Sequence, residues 1–350
     1  MEILSTLNKQ NRFFLWLYCD ASPVQIALED LPPGLPATDV RYFVGVLQRL
    51  ERILPGEGLT FVLTWHLDAF QEAMEDAVLI IVGDERYQTP SYQRRVRAIF
   101  KTGGGRRNPW RETLRLPASI AWRVLLRDAR NSLTGIQRRW QYGPPGQAVT
   151  PMYEIPLGYF ALRDIDPPPI DQRPVDVFFA GYIPASRWDL CASVPARKQM
   201  AAALAEARAA LPQYRIESLL AAGTFGKGLA PEAYTQALAN ARIALAPRGN
   251  IDETFRLFEA AKLGCVIVSE PLPQRWYYQG CPVVSIPKWS ALPGVLRGLL
   301  NDPITLKELS RRGRQWWDSM ISEEAVANFI AQRLAGMGSV HPKVGKAGSV

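Results

Sequence analysis

Short apolar runs alternate with stretches of helical periodicity along most of the chain, and this alternation restricts the fold more than any other feature of the sequence. In the first half the strand candidates are Phe13–Tyr18, Thr60–Thr64, Val78–Val82, Ala98–Lys101 and Tyr153–Pro156. In the second half Val175–Tyr182, Tyr214–Ser218, Ala241–Ala246 and Cys265–Ser269 read the same way. Helical spacing fills the gaps at Asp39–Ile53, Ala196–Ala210, Pro231–Ala239, Thr254–Leu263 and Pro303–Trp317, with Thr38 available as an N-cap and a weaker pattern at Ala118–Leu126. Runs that are apolar on both faces, separated by helices, predict an α/β chain with parallel sheets rather than a sandwich or a bundle.

Length sets the number of cores. A chain of 350 residues, 47% apolar and 21% charged, exceeds what one core usually organises and has the composition of a globular protein. The division falls where proline and glycine gather, at Gly143-Pro144-Pro145-Gly146 and Asp166-Pro167-Pro168-Pro169. The predicted organisation is a first Rossmann-like domain over 1–160, a proline-rich linker over 161–174, a second Rossmann-like domain over 175–302, a helical segment over 303–335 and a disordered tail over 336–350.

Several classes are excluded. No apolar run reaches the eighteen residues of a membrane span, and Phe13–Tyr18 is too short for a secretory leader, so a cytoplasmic location is expected. Cys19, Cys191, Cys265 and Cys281 are scattered in apolar surroundings, which favours free thiols over disulfides or a zinc site. The net charge of +8 is concentrated in arginines such as Arg94-Arg95-Val96-Arg97, Arg106-Arg107 and Arg311-Arg312-Gly313-Arg314. These read as solvated helix faces that can also meet phosphates or the anionic face of a membrane; no nucleic-acid motif accompanies them.

The stretch from Ala246 to Cys265 carries the most chemistry. It passes from a buried strand through Pro247-Arg248-Gly249 into a helix, whose free N–H groups and positive dipole end receive phosphates. Asp252, Arg256 and Glu259 are spaced to share one helical face. Arg256 can neutralise a diphosphate and the Glu259 carboxylate can accept both hydroxyls of a ribose; the same spacing also suits a plain Arg256–Glu259 ion pair on a surface helix.

The longer string resembles the exostosin family of glycosyltransferases. It contains a tyrosine helix at Tyr234–Leu238, a strand at Ile243–Ala246, Pro247-Arg248-Gly249, Thr254-Phe255-Arg256, and Phe258-Glu259-Ala260 ahead of Gly264-Cys265. Upstream, Phe178-Phe179-Ala180-Gly181 and a later Arg197 match as well; the resemblance spans about Val175 to Leu300. It implies a GT-B fold, two Rossmann-like domains facing across a cleft, with a nucleotide sugar, UDP-linked in the family, on the C-terminal one. Gly181, Arg197, Lys227, Arg248, Gly249, Glu253, Thr254, Arg256 and Glu259 are then the donor-binding candidates, with Arg187 beside them. It also implies inverting transfer without a metal or tightly bound cofactor, to a glycan or lipid-linked glycan. The N-terminal half does not align with the family, and no counterpart of the membrane anchor of its animal members is expected among these residues.

Inverting transfer needs a base to take the acceptor proton, expected from the first domain. Strand ends there offer His66, Asp84 and Glu85; His66 could equally be a structural histidine, and Asp84 an Asx turn or helix cap. Trp276-Tyr277-Tyr278, between prolines and a glycine, is read as an exposed sugar-stacking loop. A sugar-nucleotide epimerase of the same fold and a non-catalytic glycan-binding protein remain open alternatives. A dinucleotide oxidoreductase is disfavoured, since no Gly-x-Gly-x-x-Gly follows either opening strand.

Overall fold

The computed structural model describes residues 10–16, 23–29, 37–67, 74–84, 90, 95–103, 113, 118–142, 150–160, 162–183, 193–221 and 229–337. Two α/β units follow one another. The first contains β1 (Arg12–Trp16), β2 (Val24–Gln25), α1 (Ala37–Ile53), β3 (Thr60–Thr64), β4 (Met74–Ile81), β5 (Val96–Thr102), α2 (Ala118–Tyr142) and β6 (Met152–Ile155). Its sheet runs β2-β1-β3-β4-β5-β6, parallel throughout except for the short antiparallel β2. The second contains β7 (Val175–Tyr182), α3 (Ser193–Ala210), β8 (Ile216–Ala221), α4 (Pro231–Ala239), β9 (Ala241–Leu245), α5 (Phe255–Lys262), β10 (Val266–Ser269) and β11 (Val284–Ser285), followed by α6 (Leu292–Leu300) and α7 (Pro303–Trp316). Its sheet, β11-β10-β9-β7-β8, is wholly parallel.

The strands form where the apolar runs predict them, and the central ones are sealed on both faces. Val78, Leu79, Ile80 and Ile81 are completely enclosed, as are Val177 and Phe179. Each such side chain contributes about 1.5–3 kcal/mol relative to exposure. Two expectations change at helix ends. The first helix already includes Ala37 and Thr38, so Thr38 is not its N-cap. The weak pattern at Ala118–Leu126 is the start of a helix of 25 residues.

The two units share a core rather than a flexible tether. After α7 a π-helical turn, Trp317–Ile321, leads into α8 (Glu323–Ala335), which packs on α1 of the first unit. Tyr42 of α1 fastens this return: its hydroxyl donates to the Ile321 carbonyl at 2.5 Å and its ring meets Tyr159 and Trp317. The proline-rich stretch is irregular but held down. Buried Arg173 donates to the carbonyls of Pro168, Ala241 and Leu263, and Arg163 bonds Glu232 and Thr235 of α4. Among the described residues no helix is long and apolar enough to cross a membrane. Cys265 and Cys281 are free thiols, as expected; burial holds the Cys265 thiol above its usual range and pushes Cys281 up to about 12. Cys19 and Cys191 lie outside the described residues.

Gly158 is the tightest point of the junction. It adopts φ +70°, and a β-carbon there would come within 2.2 Å of the Tyr42 ring. Gly158→Ala therefore meets both a left-handed backbone and an immovable aromatic, and should lower stability by at least ~2 kcal/mol. A urea titration checks this; an unchanged midpoint would show that the Tyr42 junction is looser than described.

Candidate functional site

Strand order locates the crevice in the second unit. From β7 the chain goes to β8 on one side and returns to β9 on the other, so the order reverses between β7 and β9. Parallel sheets take ligands beyond the carboxyl ends of the strands at such a reversal. In the first sheet the short antiparallel β2 lies on one side of β1 and β3 on the other, and from β1 through β3 to β6 the parallel strands follow in one direction. Gly181 and Tyr182 form the carboxyl end of β7, and beyond β9 comes the loop 246–254 that leads into α5.

Arg256 stands in this crevice. Its guanidinium lies 4.7 Å from the centre of the Phe179 ring, and a β-carbon on Gly181 would come within 2.6 Å of its Nη2. Glycine at 181 thus makes room for the cation. The Nε of Arg256 is buried and without a hydrogen-bond partner, and among the described residues the guanidinium joins no ion pair. A planar cation propped on an aromatic face, its Nε without a partner among the described residues, can receive an anion. Thr254 caps α5, its hydroxyl accepting from the Arg256 N–H at 3.1 Å, so the first turn points into the same space.

The neighbouring charged residues are engaged with protein. Asp252 does not share the helix face with Arg256, because α5 begins only at Phe255; it lies before the cap and pairs with Arg248 at 2.7 Å, both largely enclosed. The peptide N–H of Arg248 donates to Glu270, which also accepts from Trp289. Burial holds the Glu270 carboxyl above the usual range. Glu253 is enclosed against Arg275 and the Tyr277 hydroxyl, and Arg275 reaches across to the Gly103 carbonyl of the first unit at 2.9 Å. Gly249 closes the loop tightly, since a β-carbon there would lie 2.8 Å from the Glu253 carbonyl. Arg248, Gly249 and Glu253 therefore build and brace the loop.

Glu259, 3% exposed, accepts from the Phe160 N–H at 3.1 Å and from the Tyr234 hydroxyl at 2.7 Å. Burial first, then the adjoining carboxylate, holds the Tyr234 hydroxyl well above its usual range, so it stays a donor. Both oxygens of Glu259 are already used once, and a ribose hydroxyl would have to share the remaining lone pairs. Arg197, half-buried on α3, donates to the Tyr182 carbonyl at 2.9 Å and stands beside the end of β7. Lys227, Arg187 and Glu85 lie outside the described residues.

The carboxyl edge of the first sheet meets this loop, since a β-carbon on Gly103 would come 3.0 Å from the Ile251 side chain. Asp84 there forms an enclosed ion pair with Lys101 of β5 at 2.5 Å. Burial lowers the Lys101 ammonium from the usual lysine range, and Asp84 opposes that shift. Asp84 is thus neither a free base nor the simple turn cap that its strand-end position suggests. His66 follows β3, half-buried, with its ring tilted against Trp16 at 5.7 Å. Trp276-Tyr277-Tyr278 is not an exposed loop: Tyr277 is fully enclosed, and Trp276 stacks on Phe329 at 4.1 Å and donates to the Glu154 carbonyl. Lys101 and Arg275, which the sequence reading passed over, are the cations that complete this junction; a lysine closing the apolar strand 96–102 was the available signal.

No protein-family model matches the chain, and no curated sequence matches it. Among solved structures it is similar to the pneumococcal O-GlcNAc transferase GtfA in complex with UDP and GlcNAc, at 11% identity and TM-score 0.42, covering 85% of this chain and 60% of that one. It is also similar to sucrose-phosphate synthase from Thermosynechococcus elongatus, at 13% and 0.44, covering 84% and 93%, and to a glycosyltransferase involved in avilamycin A biosynthesis, at 14% and 0.41, covering 87% and 94%. The chain thus spans about three-fifths of the length of the GtfA chain. Likeness at these values carries nothing about chemistry to this protein.

The Asp84–Lys101 pair supports a direct test. Lys101→Met leaves an enclosed carboxylate without its cation and should cost about 3–5 kcal/mol, whereas Lys101→Met with Asp84→Asn should recover most of that loss. Chemical denaturation of both variants measures it; equal stability of the two would mean that the ions are not coupled.

Proposed function

We propose that the chain is a glycosyltransferase that moves a sugar from a nucleotide donor to a glycan or lipid-linked glycan. The observation that carries this reading is Arg256, a guanidinium without an ion pair among the described residues, at the strand-order reversal and resting on Phe179 and Gly181 beside the start of α5. In this reading Arg256 and the first turn of α5 hold the diphosphate and stabilise it as it leaves. Glu259, braced by Tyr234 and the Phe160 N–H, stands one turn behind and meets the ribose. Arg197 approaches from α3, and the family resemblance around these residues supports a UDP-sugar and inverting, metal-independent transfer.

The proton acceptor in this reading comes from the facing edge of the first sheet, where His66 and Asp84 stand and where Glu85 follows in sequence. Asp84 would work as a base only with Lys101 as its immediate counter-ion.

A thermal-shift panel of UDP, GDP, CMP and ADP sugars tests the donor assignment. At one hundred times Kd a true ligand adds about 2.7 kcal/mol of stability. At least one nucleotide sugar should stabilise the wild type, and Arg256→Ala should weaken its binding roughly tenfold or more, the loss of a charged hydrogen-bond donor. Unchanged binding in Arg256→Ala would remove the assignment. Product analysis of the bound sugar nucleotide separates transfer from epimerisation.

A further inference from the structure

The longest helix turns an apolar stripe to solvent. α2 is anchored through Ile120 and Val124, which pack on Ala196 of α3, and its Arg127 donates to Asp128 and to the Asn250 carbonyl. On the opposite side Trp122, Leu126, Leu133 and Ile136 are 44%, 54%, 70% and 55% exposed. Their spacing of four, seven and three residues places all four on one line along the helix, about 21 Å long at 1.5 Å per residue. Single exposed apolar side chains are ordinary; four in line on one helix form a surface that water does not favour.

Charge narrows the partner. By sequence α2 holds Arg123, Arg127, Arg130, Arg138 and Arg139 against the single acid Asp128. Arg130 is exposed beside the stripe, and Arg123 lies over the Trp122 ring at 5.1 Å. A helix with an apolar line, a tryptophan and a large arginine excess suits the headgroup layer of an anionic bilayer, where the line enters the acyl boundary and the arginines meet phosphates. A second copy of the chain suits it poorly, because a two-fold contact would press arginines on arginines in a protein already at +8. The arginine clusters most visible in the sequence offer less: Arg311 is bridged to Glu308, and Arg94, Arg106 and Arg107 lie outside the described residues.

We propose that the solvent face of α2 docks the protein on anionic membranes. The proposal shares no residue with the donor site and stands or falls apart from it. The full chain would be sedimented with vesicles of phosphatidylcholine alone and of phosphatidylcholine mixed with phosphatidylglycerol, at low and at physiological salt. The wild type should pellet with the mixed vesicles, less with the neutral ones, and less as salt rises. The triple variant Leu126→Ser, Leu133→Ser, Ile136→Ser should lose roughly tenfold or more of this partitioning while keeping the wild-type melting temperature. Arg130→Gln should lose about fivefold, chiefly at low salt. Failure of the wild type to pellet, or equal pelleting of the triple variant, overturns the proposal. So does a wild-type dimer in light scattering that the triple variant converts to a monomer without any vesicle binding, which would make the stripe a self-interface.

Discussion

One buried cation sets the relation between the two sheets. Arg275, at the end of the loop after β10, holds Glu253 and the Tyr277 hydroxyl on its own side and the Gly103 carbonyl on the other. Glu253 belongs to the loop that becomes α5, so the same contact fixes the cap at Thr254 and the position of Arg256. Removing one partner from such an enclosed pair leaves a charge that water cannot reach, a larger penalty than the pair's own attraction. The loop is held from several directions: by Arg275, by the Arg248–Asp252 pair, by Arg127 from α2 and by the tight turn at Gly249. The π-turn and α8 then close the chain back onto α1, so the crevice edges belong to a single core.

Within that braced frame Arg256 differs from the cations around it. Arg248, Arg275, Arg173 and Lys101 each have carboxylates or carbonyls in contact. Arg256 has an aromatic face and a glycine, and among the described residues its guanidinium joins no ion pair; its buried Nε lacks a partner, as does that of Arg248. A guanidinium without a counter-ion at a strand-order reversal is what the proposed function assigns to the donor's diphosphate.

Much of the fold was legible because parallel strands buried on both faces leave continuous apolar runs, and the runs beginning near Phe13, Thr60, Val78, Ala98 and Tyr153 all became strands. The site was legible in part. Spacing and resemblance singled out Gly181 and Arg256, but helical arithmetic carried α5 one turn too far and gave Asp252 a face it does not share. Partners distant in sequence were invisible. Lys101 beside Asp84, Phe160 beside Glu259 and Gly103 beside Arg275 meet only once the two sheets are placed. Aromatic residues misled for a related reason: prolines and a glycine flank Trp276-Tyr277-Tyr278 as they would an exposed loop, yet α8 supplies Phe329 as a cover. The exposed face of α2 went unread because a long helix with arginines on its flanks looks the same in sequence whether its apolar side meets protein or solvent.

In the proposed function the donor's diphosphate binds at Arg256. A crystal structure of the protein with a nucleotide sugar found to bind in solution would decide it. Phosphate oxygens should lie within hydrogen-bonding distance of the Arg256 guanidinium and the first turn of α5, with the ribose toward Glu259. A nucleotide bound elsewhere, with the Arg256 guanidinium still against Phe179 and without an anion, would contradict it.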